Sequence, residues 1–281
     1  MRKSLFRFLP RRFRTETPLV HIVRLHGTIG VGSPLKPPVT LQSVAPALDK
    51  AFSRKGVDAV ALAINSPGGS AVQSALIHSR IRALAEEHKV PVFVFCEDVA
   101  ASGGYWLACA GDEIYADESS IVGSIGVIAA GFGFVEAIAR LGIERRVHTV
   151  GENKSILDPF QPEKPEDVQR LNDLQRDVHE AFKTLVRYRR AGKLKGAESE
   201  LFSGAFWSGR KAIDFGLIDG IGHLREVMRR KFGPKTEFKL IEKPRGWSLS
   251  RLGFGTAFNA DLASGLIDAM ETRALWSRFG L

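Results

Sequence analysis

Alternating strand and helix signals along most of the chain predict an α/β domain with a largely parallel sheet and flanking helices. Three observations carry that expectation. Apolar runs at 57–64 and 91–96 have no polar alternation, as expected of strands covered on both faces. Val44, Leu48 and Phe52, four residues apart, and the long stretch 71–87 read as helices between such strands. Clusters of Gly, Pro and Ser fall where a strand hands over to a helix, at 65–70 and 102–104. A chain of 281 residues is long enough to bury a sizeable core around such a sheet.

The elements follow in order. A first strand is expected from Val20 to Leu25, ending at Gly27-Thr28-Ile29-Gly30. The Pro- and Gly-rich stretch from Gly32 to Val39 is a loop, and Thr40 to Ser53 a helix. Strand 57–64, helix 71–87, strand 91–96, a helix after Ser102 and strand 112–116 come next. A strand is expected at 145–150 and a long helix from Glu166 to Arg190. The latter carries Leu171, Leu174, Val178, Phe182 and Leu185 at a spacing of three and four, the stripe of a core or subunit contact rather than a catalytic face. A helix over 207–215, a short strand or turn over 216–222 and a strand over 238–241 close the domain. Pro244 to Phe258 reads as a linker, and Leu262, Leu266, Met270 and Ala274 share a face of a terminal helix. The expected division is a tail at 1–17, one domain at 18–243, and linker plus helix at 244–281.

Three segments hold the residues suited to chemistry. In Ala101-Ser102-Gly103-Gly104-Tyr105, a serine sits between strand and helix with glycines behind it, where its hydroxyl is exposed at a tight turn. The plainer reading makes Ser102 a helix cap. In Asn65-Ser66-Pro67-Gly68-Gly69-Ser70, Pro67 fixes one dihedral and the glycines reach conformations closed to other residues. Such a turn aims backbone N–H groups at one point, as an oxyanion hole requires, or is simply a turn. In Gly151-Glu152-Asn153-Lys154-Ser155, the lysine is followed by the apolar residues Ile156, Leu157, Pro159 and Phe160. Desolvation by such neighbours lowers a lysine pKa and makes the amine a usable base.

Together these segments resemble the signal peptide peptidase A family of serine–lysine peptidases, including its SohB-like members. The order of motifs is the same: Asn-Ser-Pro-Gly-Gly, Ala-Ser-Gly-Gly-Tyr, Gly-Ser-Ile-Gly-Val at 123–127, then Gly-x-x-Lys-Ser with Asp-Pro-Phe after it. The resemblance runs from about His21 to about Lys243. It implies that Ser102 is the nucleophile, Lys154 the general base, and Ser124 the hydroxyl that orients the amine. Gly69 and Gly103 then supply the oxyanion-hole N–H groups. It further implies a Clp protease/crotonase-like fold of repeated strand-strand-helix units and assembly into a ring or dome of identical subunits. The implied substrates are unfolded or apolar peptides, such as signal-peptide remnants or membrane-protein segments, cleaved with no cofactor or metal.

The residues leave alternatives open. Seven histidines (His21, His26, His78, His88, His148, His179 and His223) keep a Ser–His arrangement in play, since the order of triad members varies between folds. An acyl-CoA hydratase or isomerase would use a similar hole with a carboxylate base, for which Glu97 and Asp98 stand nearest Ser102. A non-catalytic membrane-surface scaffold is the third reading.

The formal charge is +9. Much of it sits in Arg2, Lys3, Arg7, Arg11, Arg12 and Arg14, in a stretch without acids. The rest of the chain is nearly balanced, so nucleic acid is not an expected partner. Leu5, Phe6, Phe8, Leu9 and Phe13 interleave the basic residues, which suits residues 1–14 to an anionic membrane surface or to a solvated tail. With no apolar run of signal-peptide or spanning length, the expected location is cytoplasmic, peripheral to the inner membrane. Cys96 and Cys109 lie in apolar segments without metal-ligand spacing and are expected as buried packing thiols.

Overall fold

The computed structural model describes residues 17–30, 37–242 and 273–281. The tail at 1–16, the segment 31–36 and the region 243–272 lie outside the described residues, and with them the expectations of a membrane-surface tail and a linker. The elements run β1 (Leu19–His26), α1 (Leu41–Ser53), β2 (Ala59–Ser66), α2 (Ala71–His88), β3 (Val92–Ala101) and α3 (Gly103–Ala108). Then come β4 (Glu113–Ala116), β5 (Ile121–Gly123), α4 (Val135–Arg140), α5 (Pro165–Arg189), α6 (Glu198–Leu201) and β6 (Phe206–Ser208). The order closes with α7 (Gly209–Asp214), β7 (Gly220–Ile221), α8 (Leu224–Phe232) and β8 (Glu237–Leu240).

The sheet has the order β6-β5-β3-β2-β1-β8, with β4 on β3 and β7 on β4. Every pairing is parallel except β5 with β6. The α/β fold with a mainly parallel sheet is therefore as expected. Strand β3 is longer than its apolar run: residues 93–96 pair with β4 and 99–101 with β5, so the sheet forks at Glu97 and Asp98. Those two polar residues end the hydrophobic run and hide the second half of the strand from periodicity.

Two faces are covered. One packs Leu62, Ile64, Val92 and Val94 beneath α1, α2 and α3, with Val44, Leu48 and Phe52 all buried as their spacing implies. The other packs Val20, Ile22, Phe93 and Phe95 against Val227 and Met228 of α8. That helix is absent from the sequence reading, although Leu224, Val227, Met228 and Phe232 are spaced along one helical face. Helix α1 starts at Thr40, whose hydroxyl accepts from Ser43 N while Ser43 reciprocates, the capping-box exchange. Helix α5 matches its expected span; Phe182 and Val186 are buried, whereas Leu174 is exposed.

Two expectations need correction. Residues 145–150 form no strand; they are mostly exposed and pair with nothing in the sheet. Residues 207–215 are not one helix, because β6 runs through Ser208 before α7 begins at Gly209.

The short helix α3 is held from behind by polar bonds. Tyr105 donates its buried hydroxyl to Leu217 O at 2.8 Å, and Arg189 donates to Cys109 O at 2.8 Å. Arg190, 2% exposed, donates to Gly216 O and to Asp219 at 2.6 Å, and Lys193 holds the other carboxylate oxygen at 2.7 Å. Both cysteines are buried, and burial pushes each thiol pKa up to about 12, so they are packing groups as expected. Among the described residues no helix is long and apolar enough to cross a membrane, and no His/Cys/Asp/Glu cluster has the makings of a metal site.

His78, on the α2 face against α3, is buried. Burial first, then the nearby Arg189 and Arg82, lower its pKa to about 4, against a raising effect of the Cys109 carbonyl. The folded pKa lies below the unfolded value of 6.5, so the unfolded chain takes the proton first as pH falls. Stability is full above pH 6.5 and drains between there and pH 4. The loss should be about 3 kcal/mol at most. Urea midpoints measured at pH 7 and pH 4.5 should differ less in His78→Gln than in the parent; an equal difference rules His78 out as the source.

Candidate active site

Strand pairing brings two serines together. Ala101 of β3 is in register with Gly123 of β5, so Ser102 and Ser124 are the next residues on adjacent parallel strands. Ser102 N–H donates to Gly123 O at 2.8 Å, and Ser124 N–H donates to Ala205 O at 2.7 Å. Both serines have positive φ, 53° and 52°, uncommon for residues with a Cβ. Such backbone costs on the order of 1–3 kcal/mol each and persists where the surroundings over-determine it.

Ser102 occupies the N-cap position of α3, yet its side chain makes no capping hydrogen bond. The plain reading of Ser102 as a helix cap therefore fails. With φ positive and no capping bond made, the hydroxyl is left for another purpose.

The Asn65–Ser70 turn lies directly against this elbow. A Cβ built on Gly68 would stand 2.7 Å from Ser102 Cβ and 2.9 Å from Gly103 N, so nothing larger than glycine fits. Gly69 forms a parallel bridge with Ile29: Ile29 N–H donates to Gly68 O at 2.9 Å and Ser70 N–H donates to Ile29 O at 2.8 Å. In a parallel bridge the central residue turns its own N–H to the opposite side. For Gly69 that side holds Gly103, whose own Cβ position lies 3.4 Å from Gly69 N. The Gly69 and Gly103 backbones thus meet beside Ser102.

A cavity of about 380 Å³ opens there, lined by Ser102, Ser124, Gly126, His179, Gly204 and Arg278, among others. Sequence reasoning missed Arg278 and held His179 only as one of seven histidines open to a Ser–His arrangement. His179 lies on α5 beside the stripe read as a contact face, and its Nε2 is 3.0 Å from Ile125 O. Arg278 comes from the far end of the chain. No periodic or motif signal marks either one, because both reach the cavity through packing over long sequence separations. Glu97 and Asp98 are not in the lining; Glu97 pairs with His26 at 3.0 Å and Asp98 accepts from Asn65 at 2.6 Å.

Lys154 is not in the lining either. It stands exposed in the turns at 151–157, on an arm that leaves the sheet after Gly126 and returns at α5. The arm has its own small packing: Phe134 N–H donates to Pro159 O at 2.6 Å, Phe134 stacks on Phe160, and Arg145 binds the Asp158 carboxylate. Helix α4 within it has no buried residue. Among the described residues, more than half of the large exposed apolar side chains lie on this arm, including Ile128, Phe132, Leu141, Ile143 and the almost fully exposed Val150. Within one chain, then, the apolar shelter expected around Lys154 is missing.

Against this geometry the relatives can be set. A Brucella abortus protein named Na(+)/H(+) antiporter NhaA is 52% identical over 287 residues, covering 99% of this chain but 39% of that protein. The chain thus spans about two fifths of the length of that relative. A putative signal peptide peptidase SppA of Enterococcus faecium is 28% identical over 73% of this chain and 61% of its own length. A solved structure of the 1510-N membrane-bound stomatin-specific protease, a mutant in complex with a substrate peptide, aligns with a TM-score of 0.51. It covers 90% of this chain and 99% of its own at 15% identity, a likeness of fold alone. The model of peptidase family S49 matches residues 85–233, a stretch that takes in the Ser102 elbow, Ser124 and the Lys154 arm, and the chain belongs to that family.

Proposed function

We propose that this chain is a serine endopeptidase in which Ser102 attacks the peptide carbonyl and Lys154 is the base. The observation that carries the reading is the Ser102 elbow: a serine with φ 53° that caps nothing, set against a glycine turn that admits no side chain. Neutral Lys154 takes the Ser102 hydroxyl proton as the Oγ–carbon bond forms. The Gly69 and Gly103 N–H groups stabilise the oxyanion of the tetrahedral intermediate. The C–N bond breaks as the lysine returns the proton to the leaving amine, and water then hydrolyses the acyl-enzyme with the same base. Ser124, adjacent to Ser102, orients the amine.

The exposed arm supports a shared site. Its apolar side chains fit a second copy of the chain, and docking there carries Lys154 to the neighbour's Ser102 and removes it from water. A lysine acts as a base only when so removed. Where the rotation between neighbours closes, such a head-to-tail contact builds a ring. Its enclosed sites favour extended, unfolded and apolar peptides. Transport is not carried over from the Brucella relative, because the match covers 39% of that protein and coincides here with a peptidase-family segment.

Hydrolysis of a fluorogenic apolar peptide and of an unfolded protein tests the reading. Ser102→Ala and Lys154→Ala should each lose activity with oligomer mass unchanged by light scattering. Activity kept in Lys154→Ala and lost in His179→Ala would transfer the base to the histidine in the cavity wall. An inactive parent protein across a pH series reaching above 8 would return the acyl-CoA and scaffold readings.

A further inference from the structure

The C-terminal residues return to the Ser102 cavity. After a short helix at 273–277, Phe279 is 8% exposed and packs on Val99 and Ala101, the strand residues just before Ser102. Trp276 and Ile121 close around it, and Phe206 meets its ring edge-on at 5.0 Å. These contacts continue the cover of the second sheet face beyond α8, over the half of β3 that leads to the elbow. They pin the residue next to Phe279. That residue is Arg278, and it forms part of the wall of the cavity with Ser102, Ser124 and His179.

Among the described residues no carboxylate lines that cavity. Among the described residues, the Arg278 guanidinium has one charge-related neighbour, the ring of Phe279 at 5.9 Å, and it stays exposed. Set in the same cavity wall as Ser102, and with no carboxylate partner among the described residues, the guanidinium is a planar fork without its counterpart.

We infer that Arg278 is a specificity-determining residue that binds a carboxylate of the peptide near the scissile bond. The inference rests on the reading of Ser102 as the acylated residue. Two sources offer the same chemistry: an Asp or Glu side chain, and the free α-carboxylate of a peptide end. Phe279 is the positioning residue for Arg278.

Binding to full-length Ser102→Ala protein tests this without turnover. Fluorescein-labelled apolar peptides carrying Asp or Asn at one central position, each made as free acid and as amide, are compared by fluorescence anisotropy. A carboxylate should tighten binding about 10-fold, as one charge-assisted contact does. The Asp/Asn pair reads a side-chain source, and the acid/amide pair a chain-end source. Arg278→Gln on the same background should bring the ratio to about 1, and Arg278→Lys should restore part of it. Equal affinities in the parent, or a ratio unmoved by Arg278→Gln, overturn the inference. So does faster hydrolysis of all peptides alike when the chain is cut after residue 272, which would make the segment a plug. The two readings fail separately. Carboxylate selectivity without hydrolysis by the wild type sinks the peptidase and keeps Arg278; hydrolysis without selectivity does the reverse.

Discussion

Co-expressing Ser102→Ala and Lys154→Ala chains should restore hydrolysis that neither variant has alone. Each variant by itself should fall by about 10²–10⁴ or more, the usual weight of a general base or nucleophile. When the lysine comes from a neighbour, a chain with intact Ser102 meets an intact Lys154 wherever the two variants adjoin in the right order. With random mixing in a head-to-tail ring, about a quarter of the sites are complete. The expectation follows from the exposure of Lys154, its absence from the Ser102 cavity, and the apolar side chains that share its arm. Differently tagged chains, purified through both tags, provide the sample. A mixed complex as inactive as its parents would place both dyad members in one chain, with the arm folding back on its own sheet.

Gly69→Ala should lower kcat by about 10²–10³ with little change in KM, the signature of a lost oxyanion donor. The added Cβ would stand 2.1 Å from Ile29 O and 2.9 Å from Ile29 N, at a φ of 138° that disfavours a side chain. The backbone has to move, and the bridge to Ile29 that aims the Gly69 N–H goes with it. Gly103→Ala offers a contrast, since its Cβ would meet Ser74 Oγ at 2.5 Å, a side-chain atom that can rotate away. A Gly69→Ala enzyme with unchanged kcat would remove Gly69 from the oxyanion hole.

Much of the scaffold was legible because its signals are local. The α1 spacing Val44-Leu48-Phe52, the buried runs of β2 and β3, and the Gly and Pro residues at the turns act within a few residues of themselves. Elements stabilised from elsewhere left no such mark. Strand β5 is three residues long and exists because β3 and β6 flank it. The expected strand at 145–150 shows the converse: a β-prone stretch with no neighbouring strand to take its hydrogen bonds.

The site divides along the same line. The sequence alone determined the α/β class and the glycine turn, and residue type and short spacing singled out Ser102 and Lys154 as candidates for acyl transfer; Ser124 entered through the family resemblance. Only the tertiary structure decided that Ser102 and Ser124 stand side by side, because that depends on the register of β3 with β5. It alone brought His179 and Arg278 into the cavity wall and left Lys154 on an exposed arm. Those placements come from packing across tens to hundreds of residues, which no local pattern records.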